Sequence, residues 1–281
     1  MANQSTGQSP LFKCNLPAVS EWNSEYYFSN SAKEQAARVF PPHIHDQLEI
    51  YVLLDGDASF MVENEIYRLQ AGDAVFSRPN EIHNCILNTP SKHKHLCIWF
   101  DSSCSFLFSD FLANKTSNHI APDTPSKERL LVLYQQLLTA SEQNDKQAQF
   151  YLQLEILDIF RKNLTKGGVA PARDLPTQLK DILRDLNANF AQIQSLQYFT
   201  DKYFISQSTL NRLFKRYLHT TPYLYLESKR LAHSRVLLKQ GKSVLQACMD
   251  SGFPDYSNYI RLFKKRFSVT PKKYRDNLTR S

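Results

Sequence analysis

RLFKRYLHTTP occupies residues 212–222, and RLFKKRFSVTP occupies residues 261–271. The two stretches lie 49 positions apart, and the same offset aligns Phe204 with Phe253. A repeat at a fixed offset is typical of a duplicated supersecondary unit. We therefore expect two copies of one structural motif in the last part of the chain.

Each copy has the sequence pattern of a short helix, a tight turn and a second, amphipathic helix. In the first copy we expect a helix at about 195–202 and another after the N-cap residue Ser206. In the second copy we expect them at 244–250 and after Asp255. Lys and Arg end both second helices, as in helix-turn-helix units that bind DNA. The alternative is two helical hairpins with solvated basic faces.

Apolar spacing predicts the buried faces of the two second helices. Residues 221–242, between the copies, predict a single helix that starts at Pro222. Roughly 19 residues at ~1.5 Å each give about 28 Å, a spacer that could hold two recognition helices in major grooves about 34 Å apart. The predicted buried residues are Leu210, Leu213, Phe214 and Tyr217 in the first copy, and Tyr259, Leu262, Phe263 and Phe267 in the second.

Charge divides the chain into two parts. Residues 1–172 contain 14 Lys and Arg and 19 Asp and Glu, a net charge of −5. Residues 173–281 contain 20 and 8 of these residues, a net charge of +12. A basic domain beside a mildly acidic one is the electrostatic pattern expected of a nucleic-acid-binding protein.

Length and cysteine content indicate the class of protein. A chain of 281 residues is long enough for two domains with separate cores. The five cysteines form no CxxC pair, which favours free thiols in a reducing compartment over a disulfide framework. We expect neither a secretory signal nor a membrane segment, and we expect a cytoplasmic protein.

The first part of the chain has the pattern of many short strands. They are predicted at 48–54, 58–69, 73–77 and 94–100, and turn residues separate them. Two helices follow, one from Ser126 and one at about 145–164. Their apolar stripes, which include Leu154 and Leu157, fit two interpretations: a hairpin that covers one side of a barrel, or a dimerisation surface.

The predicted fold is therefore α+β, with an N-terminal β-barrel and helical hairpin followed by an all-α domain of about seven helices. We expect an effector-binding and dimerisation domain at 1–165. The Gly- and Pro-containing stretch KGGVAPARDLP predicts a linker at 166–176, which leaves a DNA-binding domain at 177–281.

The motifs LFK, TPxxYxxxxRLAHSRVLL, SGF and YIRLFKKRFSVTPKKYR, which span about 190–276, resemble the AraC/XylS family of transcription regulators. Two features depart from the family pattern. Ala247-Cys248 stands where Ile-Ala is usual, and His219 and Ser268 stand where Gly is usual. These departures concern helix packing and turn shape.

This resemblance implies which side chains contact DNA. Arg can pair with guanine, Asn and Gln with adenine, and Tyr can pack on a thymine methyl group. The implied base-reading residues are Gln207, Ser208, Asn211 and Arg212 in the first copy, and Tyr256, Ser257, Asn258 and Arg261 in the second. Four further basic residues fit two interpretations, as contacts to DNA phosphates or as solvated charges: Lys215, Arg216, Lys264 and Lys265.

Residues 43–83 resemble the cupin pattern, with His43-x-His45-x3-Glu49 followed by Gly56, Gly72, Pro79 and His83. In a continuous strand, positions 43, 45 and 49 would point to one face. His43, His45, Glu49 and His83 then predict either a divalent metal site or a pocket for an organic ligand, with enzymatic turnover as a further alternative. Arg38, Tyr51, Phe60 and Trp99 would supply a charged anchor and flat faces for a sugar-like effector. The other histidines, His93, His95, His119 and His233, are predicted to be surface or packing residues.

The sequence thus predicts a transcription regulator, with no enzymatic activity, that binds double-stranded DNA and responds to a small molecule such as a sugar. We expect a homodimer, contact with RNA polymerase and no membrane association. Two alternatives are a cupin metalloenzyme with a DNA-binding tail and a ligand-independent DNA-binding protein.

Overall fold

The computed structural model describes residues 11–16, 19–35, 38–39, 42–114, 116–164, 175–218 and 220–278. The chain divides into two compact units: residues 1–40 and 46–173 form the first, and residues 41–45 and 174–281 form the second. Residues 166–174 of the predicted linker lie outside the described residues. Among the helices that the model describes, none combines the length and apolar character needed to cross a membrane.

The N-terminal unit contains two antiparallel sheets. The strand order of the six-stranded sheet is β1 (Phe12–Leu16), β2 (Val19–Gln35), β9 (Ser91–Phe100), β4 (Leu48–Asp55), β7 (Ala74–Ser77) and β10 (His119–Ile120). The strand order of the four-stranded sheet is β3 (Arg38–Val39), β8 (His83–Leu87), β5 (Ala58–Val62) and β6 (Glu65–Arg68). The predicted strands are therefore present, with 58–69 folded as the hairpin of β5 and β6.

Alternating side chains of the six-stranded sheet belong to two separate cores. Leu48 and Ile50 of β4 pack in a core that includes helical residues, whereas Tyr51 packs in a core shared with the four-stranded sheet. Successive side chains of a strand point to opposite faces. Both faces of β4 are buried, which explains why its sequence is almost continuously apolar.

The helices of this unit begin with a 3-10 helix (Ser102–Phe108) and α1 (Ser109–Ala113). A hairpin follows, made of α2 (Thr124–Glu142) and α3 (Lys146–Asn163). Its apolar stripe lies in the first core, against β4 and β9, and Leu157 is only 4% exposed. The stripe thus covers the sheet, which favours the interpretation of the hairpin as a cover and places Leu157 in the core.

The C-terminal unit is all-α, and seven helices are described in it, as predicted. They are α4 (Thr177–Asn189), α5 (Gln197–Tyr203), α6 (Gln207–Tyr217), α7 (Pro222–Lys239), α8 (Val244–Asp250), α9 (Tyr256–Phe267) and α10 (Pro271–Leu278). The side chains of Ser206 and Asp255 cap α6 and α9, and both are the predicted caps. The two helix-turn-helix units are α5–α6 and α8–α9.

In each helix-turn-helix unit a residue with left-handed backbone conformation follows the first helix, but the residue type differs between the two units. Gly252 ends the first helix of the second unit with φ +81°, and a Cβ there would collide with the backbone of Ala191. Phe204 occupies the same kind of position in the first unit, with φ 52°. Ser268, at the usual Gly position after α9, also adopts a positive φ of 61°. His219 lies outside the described residues.

Candidate functional site

One face of each recognition helix is buried and the opposite face is exposed. Leu210 and Phe214 of α6, and Tyr259 and Phe263 of α9, are fully buried. Packing of these residues fixes the rotation of each helix about its own axis. The exposed residues of the opposite faces are Gln207, Ser208, Asn211, Arg212, Lys215 and Arg216 in α6, and Tyr256, Ser257, Arg261, Lys264 and Lys265 in α9.

Asn258 is the one predicted base-reading residue that is half-buried. Its carboxamide Oδ1 accepts a hydrogen bond from Nη2 of Arg261 at 2.6 Å. The structure therefore brings two predicted contact residues of α9 together. In α6 the position equivalent to Asn258 is Thr209, and the Ser206 hydroxyl donates to the Thr209 hydroxyl at 3.0 Å.

Two other arginines of the family-like segment connect helices. Arg230 of α7 donates to the carbonyl oxygens of Phe190 and Ile193, beyond the end of α4. The guanidinium of Arg235 lies 4.7 Å from the ring centre of Phe267 and also stacks near Tyr274. Both side chains are largely buried, so they stabilise the unit and do not extend the basic surface.

A buried carboxylate organises the interior of the N-terminal unit. Glu49 is 2% exposed, and its Oε2 accepts hydrogen bonds from Nε1 of Trp99 at 2.6 Å and from Nε2 of His83 at 3.2 Å. Cys97 donates to the other carboxylate oxygen. Burial lowers the pKa of His83, but the carboxylate of Glu49 and the interactions with Glu81 together outweigh burial, so this pKa is raised above its ordinary value.

An aromatic cluster lies beside this carboxylate. The ring of Tyr51 packs 4.7 Å from Phe60 and 4.9 Å from His95, and its hydroxyl is hydrogen-bonded to Nε2 of His93 at 2.9 Å. Burial, together with the neighbouring His93, lowers the pKa of His95 to about 3, so its imidazole is neutral. His93 and His95 are buried packing residues, which fits the prediction, but the sequence did not place them against Tyr51.

Four predicted metal ligands come together at one point. One ligand atom from each of His43, His45, Glu49 and His83 lies within 4.8 Å of the others. The chain bends at Asp46 and Gln47, so the continuous strand assumed for 43–49 is wrong, although the side chains still converge. His43 and His45 are half-buried, whereas the other two residues are buried. Arg38 is in β3, and its side chain lies outside the described part of the chain.

Comparison with known proteins gives two family matches. A family model described as "AraC-like ligand binding domain" matches residues 26–160. A second model, described as "Helix-turn-helix domain", matches residues 199–277. The two matches together cover about three quarters of the chain.

Individual proteins are similar over most of the length. The HTH-type transcriptional activator RhaS of Escherichia fergusonii is 24% identical over 255 residues, which cover 84% of this chain and 87% of the relative. RhaS of Enterobacter sp. (strain 638) is also 24% identical, over 258 residues, with the same coverage of 84% and 87%. The crystal structure of ToxT from Vibrio cholerae O395 matches 92% of this chain and 98% of that chain, with 13% identity and a TM-score of 0.38.

Both family matches fall on the units that the geometry had separated. The ligand-binding match covers the two-sheet unit and the helical hairpin, and the helix-turn-helix match covers α5 to α10. The chain combines an AraC-like ligand-binding domain with a helix-turn-helix domain, and it is a DNA-binding transcription regulator of the AraC family.

Proposed function

We propose that α6 and α9 are the two recognition helices and that they read bases in successive major grooves. The observation that carries this proposal is the match between the repeats. Arg212 and Arg261 occupy equivalent positions, and both are exposed opposite a buried helix face. The 18 residues of α7 connect the two units and span about 27 Å, a length compatible with one DNA turn of about 34 Å.

A comparison of two variants tests this proposal. Arg261→Ala is expected to reduce binding to one preferred base by ~1–3 kcal/mol if the arginine pairs with guanine. Lys264→Ala is expected to weaken binding to every sequence alike, since a phosphate contact carries no sequence information. Both are measured as dissociation constants for an operator and for mutated operators. Equal losses on all sequences in Arg261→Ala would show that Arg261 contacts only phosphate.

We also propose that a small polyol or sugar is the effector and that it enters the N-terminal unit beside Trp99. Trp99 is half-exposed, and its indole N–H is already oriented by the carboxylate of Glu49. An aromatic face next to a fixed carboxylate and imidazoles suits a ligand with several hydroxyl groups. Arg38, Tyr51 and Phe60 belong to the same proposed pocket.

A thermal-shift screen of sugars and other metabolites tests the effector proposal. A ligand that binds the folded state alone raises the unfolding midpoint. Trp99→Ala is expected to abolish both the shift and the transcriptional response, with basal DNA affinity unchanged. If a sugar-responsive promoter still responds normally in Trp99→Ala, the pocket is elsewhere.

A second candidate function is metal binding by His43, His45, Glu49 and His83. The supporting observation is the orientation of His83, whose Nδ1 is hydrogen-bonded to the carbonyl of Glu81 at 2.9 Å while Nε2 points at Glu49. A backbone acceptor on one ring nitrogen is the usual way in which a protein orients a histidine ligand. Three imidazoles and a carboxylate suit Fe, Mn, Ni or Zn, and a bound ion would offer a charged anchor for ligand oxygens.

Elemental analysis of the purified protein tests this second function. We expect about one equivalent of a transition metal in the natural chain and strong loss of it in His45→Ala or Glu49→Gln. His119→Ala is the matched control, because His119 is buried against Asp73 and outside the four-residue group. Protein without metal that senses its effector normally would leave the four residues with a packing or ligand-binding role.

The proposed partners of this chain besides DNA are RNA polymerase and a second copy of the chain. RhaS relatives are named activators, and activation by this chain would involve contact with RNA polymerase. A homodimer would form through the outer face of the α2–α3 hairpin, where Leu131, Val132 and Tyr151 are exposed. A groove of about 500 Å³ lies on the same hairpin and includes Tyr151 and Gln135 in its lining.

A further inference from the structure

The two recognition helices hold their equivalent arginines differently. In α9 the cap Asp255 accepts from the backbone N–H of Asn258, and the carboxamide of Asn258 in turn accepts from Nη2 of Arg261 at 2.6 Å. Cap, amide and guanidinium therefore form a chain of hydrogen bonds along the exposed face. The guanidinium has five N–H donors, so most of them are left for a ligand.

The first recognition helix lacks this arrangement. Ser206 caps α6 through the backbone N–H of Thr209, and the hydroxyls of Ser206 and Thr209 bond to each other. The side chain of Thr209 is also shorter than that of Asn258, and its hydroxyl is already bonded to the cap residue. Within the described residues, the exposed Arg212 guanidinium has no hydrogen-bond or ion-pair partner.

We propose that Asn258 is a positioning residue for Arg261, and that the second unit therefore contributes more sequence discrimination than the first. This inference rests on the proposed recognition role of α6 and α9. Both arginine side chains have considerable rotamer freedom, and a planar guanidinium that is already oriented loses less of it when it pairs with a base. Asn258, which the family resemblance implies as a base reader, acts through Arg261.

One acidic side chain lies close enough to influence the same arginine. Glu227 of α7 interacts electrostatically with Arg261 and Lys265. A carboxylate attracts a guanidinium without imposing the directional geometry of a planar amide. Glu227→Gln is therefore a control: it is expected to change affinity for all DNA sequences together and to leave discrimination between bases unchanged.

The test exchanges the two residues between the helices. Asn258→Thr gives α9 the residue of α6, and Thr209→Asn gives α6 the residue of α9. Dissociation constants of the full chain are measured at fixed salt for an operator and for operators mutated at the base steps assigned by Arg212→Ala and Arg261→Ala. We expect Asn258→Thr to lower discrimination at the Arg261 step several-fold, and Thr209→Asn to raise it at the Arg212 step. Asn258→Ala is a second variant in case the exchange alters folding, which thermal unfolding monitors.

Three results would overturn the inference, and they are distinguishable. Unchanged discrimination in both Asn258 variants would show that the amide does not position Arg261. If Asn258→Thr lowers discrimination equally in an Arg261→Ala background, Asn258 reads a base directly. If Arg261→Ala itself leaves discrimination intact, the recognition role of α9 fails, and the inference fails with it.

Discussion

Ser268 shows how a single backbone conformation affects stability in this unit. It ends α9 with φ 61°, and its N–H bonds to the carbonyl of Lys264. A left-handed conformation costs a residue with a Cβ about 1–2 kcal/mol, and glycine avoids that cost. The departure from the family pattern at this position is therefore a local destabilisation with no effect on the course of the helix.

Replacing this residue gives the first prediction. Ser268→Gly is expected to raise the free energy of unfolding by about 0.5–1 kcal/mol, since relief of strain exceeds the added entropy of the unfolded chain. Urea unfolding followed by circular dichroism measures the change. Ser257→Gly, inside α9, is the matched control and is expected to lower stability by a similar amount. The prediction fails if the two variants shift stability in the same direction.

At the scale of elements, Asp185 connects α4 to α5. Its carboxylate accepts hydrogen bonds from Lys202 at 2.8 Å, Asn189 at 2.7 Å and Tyr198 at 3.2 Å. Burial raises the pKa of this carboxyl group, but the hydrogen bonds outweigh burial and the pKa is lowered overall. The first helix-turn-helix unit is thus attached to α4 through an ionised group.

The lowered pKa of Asp185 determines how its contribution to stability depends on pH. The stabilisation by Asp185 is fully present above the carboxyl pKa of the unfolded chain, about 3.9, and is lost as pH falls through the lower folded-state value. Asp185→Asn is expected to cost about 1.5–3 kcal/mol at pH 7. The difference between variant and natural chain should shrink below pH 4 in urea unfolding. A difference that stays constant from pH 7 to pH 3 would contradict this role.

The α2–α3 hairpin presents two faces with different expected effects. Tyr151→Glu, at a residue that is 59% exposed, is expected to weaken self-association tenfold or more while the N-terminal unit stays folded. Leu157→Glu is expected to unfold the N-terminal unit, because its side chain is 4% exposed in the core. Sedimentation at micromolar concentration measures the self-association of each variant, and thermal unfolding shows whether it is folded. A natural chain that is monomeric with and without effector would refute the dimer.

An element is predicted well from the sequence when the pattern that specifies it is local. Caps and apolar spacing are local, so α6, α8 and α9 start where the sequence indicates. Strand β2 covers 17 residues and is rich in polar side chains, and its extent is set by its pairing with β1 and β9. The alternation His93, His95, Cys97, Trp99 in β9 was visible in the sequence and could have placed both histidines on the same face as Trp99.

At the scale of the whole molecule, the C-terminal unit has all the parts that DNA binding needs. Both helix-turn-helix units and the net charge of +12 lie within 173–281. We expect this fragment to fold and bind promoter DNA, with affinity that falls steeply as salt rises because phosphates release counterions. Fluorescence anisotropy at several salt concentrations measures this. A fragment that is helical by circular dichroism but has no salt-sensitive affinity would refute the prediction.

Composition predicts a boundary between two parts of the chain, whereas only the cupin resemblance predicted the convergence of His43, His45, Glu49 and His83. A charge change and a Gly- and Pro-containing stretch mark a boundary in any sequence. Bringing His83 to Glu49 depends on β8 and β4, which lie in different sheets. Such a contact depends on tertiary packing, which the periodicity of one strand does not specify.

Strand β4 also has a mechanical consequence. Tyr51 packs in the core shared with the four-stranded sheet and Glu49 bonds to His83 of that sheet, whereas Leu48, Ile50 and Val52 pack in the core that includes the helical hairpin. Neighbouring residues share peptide units, so a displacement that a ligand imposes on one face is transmitted rigidly to the other. Strand β4 therefore couples the proposed pocket on one of its faces to the helical hairpin on the other. Amide hydrogen exchange in α2 and α3 is therefore expected to change when a ligand occupies the proposed pocket beside Trp99.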